Sequence, residues 1–186
     1  MRQKYIFLTG FMAAGKSTVG RILAQMLEAR FLDTDAMVEQ RLGMSVKEIF
    51  AHYGEESFRS CETAVLCDLC CADTVPTLSE GSHPKLSPNP ACRVIATGGG
   101  MVERVRNREM MHRYGTVVYL HVPWAEINRR LQKVSNRPLA DNVESDRLQL
   151  LLQERLPLYE NADIIINTAG LTPDVIAQNI VSRIAS

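Results

Sequence analysis

Apolar positions fall in short continuous runs separated by amphipathic stretches. Tyr5 to Thr9 is apolar throughout and has the length of a buried strand. A glycine-bearing loop follows. Val19, Ile22, Leu23, Met26 and Leu27 then recur at spacings of three and four, which predicts a helix. Ala29 to Asp33 reads as a second strand ending in acid. Ser45-Val-Lys-Glu48 has the form of a capping box and opens a helix toward Tyr53, with another helix over about Glu55 to Cys71. Arg93 to Thr97 forms a strand that terminates in Gly98-Gly99-Gly100, and a helix to about Arg113 comes next. An apolar strand, Thr116 to His121, precedes a helix beginning near Trp124. A helix from Asp146 toward Tyr159 is expected to be interrupted near Pro157, ahead of a strand over Asp163 to Asn167. Thr172-Pro173 supplies the N-cap and first-turn proline of a final helix. Strands alternating with helices predict an α/β sandwich around a largely parallel sheet.

Two segments depart from this alternation. Between Ala72 and Ala91 lie Pro76, Pro84, Pro88 and Pro90, with Gly81 and several serines, which reads as an exposed loop rather than a domain boundary. Lys133 to Ser145 is polar and broken by Pro138, the pattern of a mobile loop. The 186 residues are enough for one domain of ordinary size.

Composition narrows the function classes. An apolar fraction of 46% supports a folded core. Basic and acidic residues balance at 21 each, whereas a general nucleic-acid binder carries a basic excess. No nucleic-acid partner is therefore expected. Cys61, Cys67, Cys70, Cys71 and Cys92 are odd in number, and no Cys/His pair follows Cys67-x-x-Cys70-Cys71 at zinc-finger spacing. These helical cysteines read as small buried hydrophobes. Met1-Arg-Gln-Lys before an apolar stretch has the look of an export signal, but the stretch runs straight into Gly15, Lys16 and Ser17. Nor does any uncharged apolar run approach the ~20 residues that span a bilayer. The expectation is a soluble, cytoplasmic protein with no membrane partner.

Gly10-Phe-Met-Ala-Ala-Gly15-Lys16-Ser17 satisfies GxxxxGK[ST] between a strand and a helix. Backbone N–H groups of such a loop surround nucleotide phosphates; Lys16 would reach the β- and γ-phosphates and the Ser17 hydroxyl would hold Mg2+. This motif alone fits an NTPase, a switch or a kinase. Asp33-Thr-Asp35 adds two carboxylates which, on an extended chain, would point the same way. One could serve the Mg2+ shell and the other an acceptor hydroxyl; the alternative is a pair of turn acids or a helix cap. Arg59 and Glu62 stand at i and i+3, so Glu62 could steady a guanidinium that grips a carboxylate, or the two could form an ordinary surface ion pair. Gly98-Gly99-Gly100 would let backbone amides approach a ligand closely, or serve as a flexible connection.

The P-loop GFMAAGKSTVG, the DTD at 33–35, YGEESFRSCE at 53–62, ATGGG at 96–100, RPL at 137–139 and ERLPLY at 154–159 occur in the order found in shikimate kinases. The chain resembles that family over nearly its whole length. The resemblance implies a P-loop, three-layer α/β/α fold with a five-stranded parallel sheet of the nucleoside-monophosphate-kinase type. It also implies a substrate-binding region at about 33–62, a lid at about 133–145, and an insertion at about 72–91 before the TGGG strand. The implied reaction is transfer of the γ-phosphate of ATP to the 3-hydroxyl of shikimate, with Mg2+. Matched by position, Ala13, Ala14, Gly15, Lys16, Ser17, Thr18, Arg130 and Arg137 would bind ATP. Asp35, Arg59, Gly99, Gly100 and Arg155 would bind shikimate. Lys16, Asp35 and Arg137 would be catalytic, Asp35 as general base and Arg137 from the lid. Ser17 and, through water, Asp33 would hold the metal. Asn167 and Thr168 fall near the family's adenine pocket. Many family members carry Gly where this chain has Ala13. The expected partners are shikimate and ATP, with the protein a monomer. Two rivals are another P-loop kinase of a small hydroxylated acid, such as a gluconate kinase, and a nonenzymatic ligand-binding regulator. The latter should have lost a key lysine, aspartate or arginine, and none of the central positions is lost.

Overall fold

The computed structural model describes residues 5–71, 92–135 and 142–185. Five strands, β1 (Tyr5–Thr9), β2 (Arg30–Asp33), β3 (Arg93–Ala96), β4 (Gly115–His121) and β5 (Ile164–Asn167), form one sheet. Every pairing is parallel and the order is β2-β3-β1-β4-β5. Around it lie α1 (Lys16–Met26), α2 (Thr34–Leu42), α3 (Val46–Cys71), α4 (Val105–Tyr114), α5 (Trp124–Ser135), α6 (Asn142–Glu160) and α7 (Pro173–Ile184). A 3₁₀ turn, Met101–Glu103, precedes α4.

The continuous apolar run of β1 follows from burial on both faces of a parallel sheet. Successive side chains alternate between faces. Tyr5 and Phe7 enter one core with Val38, Ile49, Phe58, Leu66, Met111 and Tyr159. Ile6 and Leu8 enter the other with Val19, Leu23, Ile176 and Ile180. Cys70 is buried in the first of these cores, where it packs as a small apolar residue. β1 lies between β3 and β4, so the chain's crossovers diverge there and leave a crevice beyond the strands' carboxyl ends. The loops after β1, β2 and β3 all open onto that edge. They carry the P-loop, the Asp33–Asp35 acids and the triple glycine.

Local signals explain several boundaries. Ser45 N–H donates to Glu48 Oε2 at 2.8 Å and Glu48 N–H to Ser45 Oγ at 3.3 Å, a reciprocal capping box. α3 breaks at Gly54, whose φ of 76° and ψ of 172° no helix contains, between the two expected helices. Thr172 caps α7 through Val175 N–H, with Pro173 in its first turn.

Three expectations are corrected. β2 ends at Asp33, and Asp35 lies in the first turn of α2, not on an extended chain. The cause is capping: Asp33 Oδ1 accepts from the N–H groups of Asp35 at 3.1 Å and Ala36 at 3.5 Å, starting the helix at Thr34. Second, helical backbone occupies 133–135 and 142–145, where the sequence predicts loop; 136–141 lie outside the described residues. Third, α6 runs through Pro157 to Glu160. Tyr159 stacks on Tyr119 with ring centroids 5.1 Å apart and donates its hydroxyl to Gly99 O at 2.6 Å, which offsets the hydrogen bond that proline forgoes. The expected 72–91 insertion and Arg137 also lie outside the described residues.

Candidate active site

The P-loop turns from β1 into α1 through residues of positive φ: Gly10 (143°), Ala13 (59°) and Gly15 (90°). Glycine adopts such values freely; an L-residue with a Cβ does so at a cost of roughly 1–2 kcal/mol, which Ala13 bears. Lys16 lies back along the loop and donates to Gly10 O at 2.8 Å and Phe11 O at 2.9 Å. Burial pushes its ammonium down to about 8, with Asp35 and Asp33 opposing that shift. Ser17 Oγ donates to Asp33 Oδ2 at 2.6 Å. Asp33 thus divides its oxygens: one caps α2, the other faces the hydroxyl at the mouth of the phosphate loop. The capping alternative holds for this residue.

A cleft of about 450 Å³ adjoins the loop, lined by Ala13, Ala14, Gly15, Thr18, Val19, Arg130, Leu171, Pro173 and Ile176. Arg130 NH1 donates to Ala13 O at 3.0 Å and its Nε to Glu126 Oε1 at 2.7 Å, so Glu126 on α5 holds the guanidinium against the loop. Asn167 lines a separate hollow with Asn179, Ser182 and Arg183, and the buried Thr168 hydroxyl donates to His121 O at 3.0 Å. The apolar wall beside the P-loop consists of Leu171, just before α7, with Pro173 and Ile176 at its start.

Across the sheet edge, the loop after β3 meets α2, α3 and α6. Gly98 N–H donates to the buried Thr34 Oγ1 at 2.9 Å, which joins this loop to the head of α2. A Cβ at Gly98 would overlap Asp35 Oδ1 and Glu62 Oε1, and one at Gly100 would overlap the Arg59 guanidinium. Gly98 and Gly100 thus sit in close approach to these side chains, whereas a Cβ at Gly99 would meet only ordinary contacts. Gly98 is the one of the three that the sequence reading left out of the site. Its signal lay in the run of glycines, but which neighbour each would strike is a tertiary fact.

Asp35 Oδ1 and Glu62 Oε1 are buried and find no hydrogen-bond partner among the described residues. Burial raises the Asp35 carboxyl above the usual range, and the neighbouring Asp33 charge adds to this against the pull of Lys16 and Arg59. Burial raises Glu62 as well, with Arg59 opposing. Arg59 pairs with Glu62 at 2.7 Å, with Glu55 at 2.9 Å and with Glu103 at 3.1 Å. Burial disfavours its charge, yet the Glu62, Glu103 and Glu55 carboxylates together raise it further. Since the Glu62 side chain is fully buried, this is not an ordinary surface pair. Arg155 on α6 reaches the same place: its Nε and NH2 lie 2.8 and 2.7 Å from Glu103 Oε1. Glu103 joins the two arginines and was not singled out by the sequence.

Lys16, Ser17, Asp33 and Asp35 are thus brought together at one mouth, Arg59, Arg155, Gly98 and Gly100 at the adjoining wall, with Gly99 held by Tyr159. Ser17 and Asp33 present hard oxygens suited to Mg2+ alongside nucleotide phosphates. Among the described residues there is no group of three or more His, Cys, Asp or Glu able to cage a metal.

A P-loop feeding a carboxylate, with paired arginines behind it on a five-stranded parallel sheet, defines an ATP-dependent kinase of the P-loop class. The family model described as shikimate kinase matches residues 12–83 and 85–185. The shikimate kinase of Thermodesulfovibrio yellowstonii is 38% identical over 182 residues, covering 97% of this chain and 94% of the relative. That of Halorhodospira halophila is 41% identical over 181 residues, covering 96% and 92%. The chain belongs to the shikimate kinase family. Among solved structures, a shikimate kinase from Acinetobacter baumannii in complex with shikimate superposes with a TM-score of 0.82 at 35% identity, covering 99% of this chain and 94% of that one. A gluconokinase from Sinorhizobium meliloti 1021, at 16% identity and a TM-score of 0.56, covers 97% of this chain and 91% of that one and shares the fold alone.

Proposed function

We propose that the protein transfers the γ-phosphate of ATP to the 3-hydroxyl of shikimate, giving shikimate 3-phosphate and ADP. The observation that carries this reading is the convergence of Arg59 and Arg155 on one point beside the unpaired Asp35 carboxylate oxygen. A cyclic hydroxy acid has the matching chemistry. Its carboxylate takes the guanidinium groups, and a ring hydroxyl donates to Asp35. Family membership selects shikimate over gluconate as that acid.

Lys16 leaves the Gly10 and Phe11 carbonyls for the β- and γ-phosphates, helped by the loop's N–H groups and the N-terminus of α1. Arg130 and the wall of Leu171, Pro173 and Ile176 receive the base side of the nucleotide. The acceptor oxygen attacks the γ-phosphorus as the bond to the ADP oxygen breaks, and Asp35 takes the hydroxyl proton. Its raised pKa makes it a stronger base than an ordinary carboxylate. Mg2+, held by Ser17 and by Asp33 through water, would neutralise phosphate charge. Arg137 would add charge stabilisation as phosphoryl transfer proceeds. Gly99 and Gly100 line the acceptor pocket.

The protein acts as a monomer in the cytoplasm; among the described residues no helix is long and apolar enough to cross a membrane. In the deciding assay, purified protein receives ATP, Mg2+ and either shikimate or gluconate, and ADP release is coupled to NADH oxidation. Shikimate-dependent turnover is expected. A preference for gluconate would overturn the substrate, and ATP binding without turnover on either acid would favour a nonenzymatic ligand-binding role.

A further inference from the structure

Glu103 occupies the position that the proposed reaction assigns to a substrate carboxylate. Its Oε2 lies 3.1 Å from Arg59 Nε, and its Oε1 lies 2.8 and 2.7 Å from Arg155 Nε and NH2. Arg59 NH1 and NH2 are already taken by Glu62 and Glu55, so Glu103 holds the Nε side of Arg59 and both the Nε and NH2 of Arg155, and a second carboxylate cannot take those positions at the same time. We infer that Glu103 competes with the acceptor's carboxylate for Arg59 and Arg155, and so sets the enzyme's affinity and selectivity for its acceptor. This rests on the acceptor site described above.

The surrounding structure suits a side chain that swings while its backbone stays. Glu103 N–H donates to Gly100 O at 3.0 Å, closing the 3₁₀ turn. Arg108 NH1 donates to Val102 O at 2.6 Å and to Glu103 O at 3.1 Å. The turn is thereby pinned from α4. The Glu103 side chain is 32% exposed, against 11% for Arg59 and 7% for Arg155, so it has water to move into while the arginines do not. Arg59 keeps Glu62 and Glu55 when Glu103 leaves. Arg155 is buried, and losing Glu103 without a replacement would leave a poorly compensated charge, a costly state. Only an anionic acceptor restores that compensation. A neutral polyol of the same shape does not, which gives selectivity for acids by repulsion of the wrong partner state as well as attraction of the right one.

The test uses the full chain and the variants Glu103→Gln and Glu103→Asp. For Glu103→Gln the KM for shikimate is expected to fall about three- to tenfold, as removal of a competing charge at a partly buried pair allows. Turnover number and the KM for ATP should stay within about twofold. Thermal stability without ligand should drop, and the stabilisation conferred by saturating shikimate should grow. Glu103→Asp keeps the charge but withdraws it by one methylene, and should lower the KM by a smaller factor; it serves as the test if the Gln variant does not fold. An unchanged or raised KM in the folded variant would overturn the inference and make Glu103 an ordinary support for the arginines.

A second readout needs no turnover. The Arg59 and Arg155 Nε–H resonances are followed by NMR during titration with cyclohex-1-ene-1-carboxylate, a ring acid lacking the hydroxyls. Tighter binding to Glu103→Gln than to the unsubstituted protein is expected at both resonances; equal or weaker binding overturns competition. If the unsubstituted protein fails on shikimate yet this titration behaves as expected, the substrate assignment falls while the role of Glu103 stands.

Discussion

The nucleotide mouth and the acceptor wall hold their cations in opposite ways. At the mouth, Lys16 rests on the carbonyls of Gly10 and Phe11, within six residues of itself, and Arg130 reaches the carbonyl of Ala13. At the wall, Arg59 and Arg155 are engaged by the carboxylates of Glu55, Glu62 and Glu103, drawn from α3 and the turn before α4. Carbonyl dipoles give up a cation to a phosphate without leaving a charge behind. Carboxylates do leave one behind, so on the proposed reading the wall would favour a ligand that brings its own negative charge. On the proposed reading the mouth would accept a highly charged group readily, and the wall would be selective.

The largest test of this division is Asp35→Asn. Turnover should fall by about 10²- to 10⁴-fold, the range for loss of a positioned base, while nucleotide affinity measured by calorimetry stays near its original value. A parallel collapse of nucleotide affinity would merge the two regions into one. Next in size is Gly98→Ala, whose methyl would displace Asp35 and Glu62 together. A misplacement of that order costs roughly 10²-fold in turnover, with ATP binding again retained; normal steady-state kinetics would count against the close approach.

A smaller effect belongs to the mouth alone. Lys16 is lowered to about 8, and bound phosphate would raise it again, so protons are taken up on nucleotide binding. Affinity is then full below that value and is lost as pH rises through it. Raising pH from 7 to 9 should weaken ATP binding about tenfold, and Lys16→Met should flatten the profile. A slope of opposite sign in the unsubstituted protein would exclude Lys16 as its source. Smallest is Ala13→Gly, which relieves a positive φ at the price of a more flexible unfolded chain. A net gain of about 0.5–1 kcal/mol, or about 1–4 °C in melting temperature by calorimetry, is expected. A loss would mean that the Cβ of Ala13 makes contacts worth more than the strain.

The chain alone determined the strand order along the sequence, every helix but α2, the α/β class and the phosphate loop, because each rests on neighbours in sequence: apolar runs, i/i+3/i+4 spacings, the Ser45–Glu48 box, glycine at the turns. The break at Gly54 was legible for the same reason. α2 (Thr34–Leu42) went unpredicted, since its start depends on the Asp33 cap rather than on an apolar period. The acid pair at 33–35 was legible as chemistry but not as geometry, since a side-chain cap from Asp33 turns Asp35 into the first turn of α2. The Arg59–Glu62 pair was legible at i and i+3, whereas only the tertiary structure brought Glu103 to both arginines. Glu103 and Arg155 are 52 residues apart, and nothing in local spacing links them. The same holds for Gly98 against Asp35 and Glu62. Local steric and hydrogen-bonding preferences act along the chain, so a sequence displays them. Charge pairing and close approach act through space, and these became visible only when the parallel sheet brought the ends of β1, β2 and β3 to one edge.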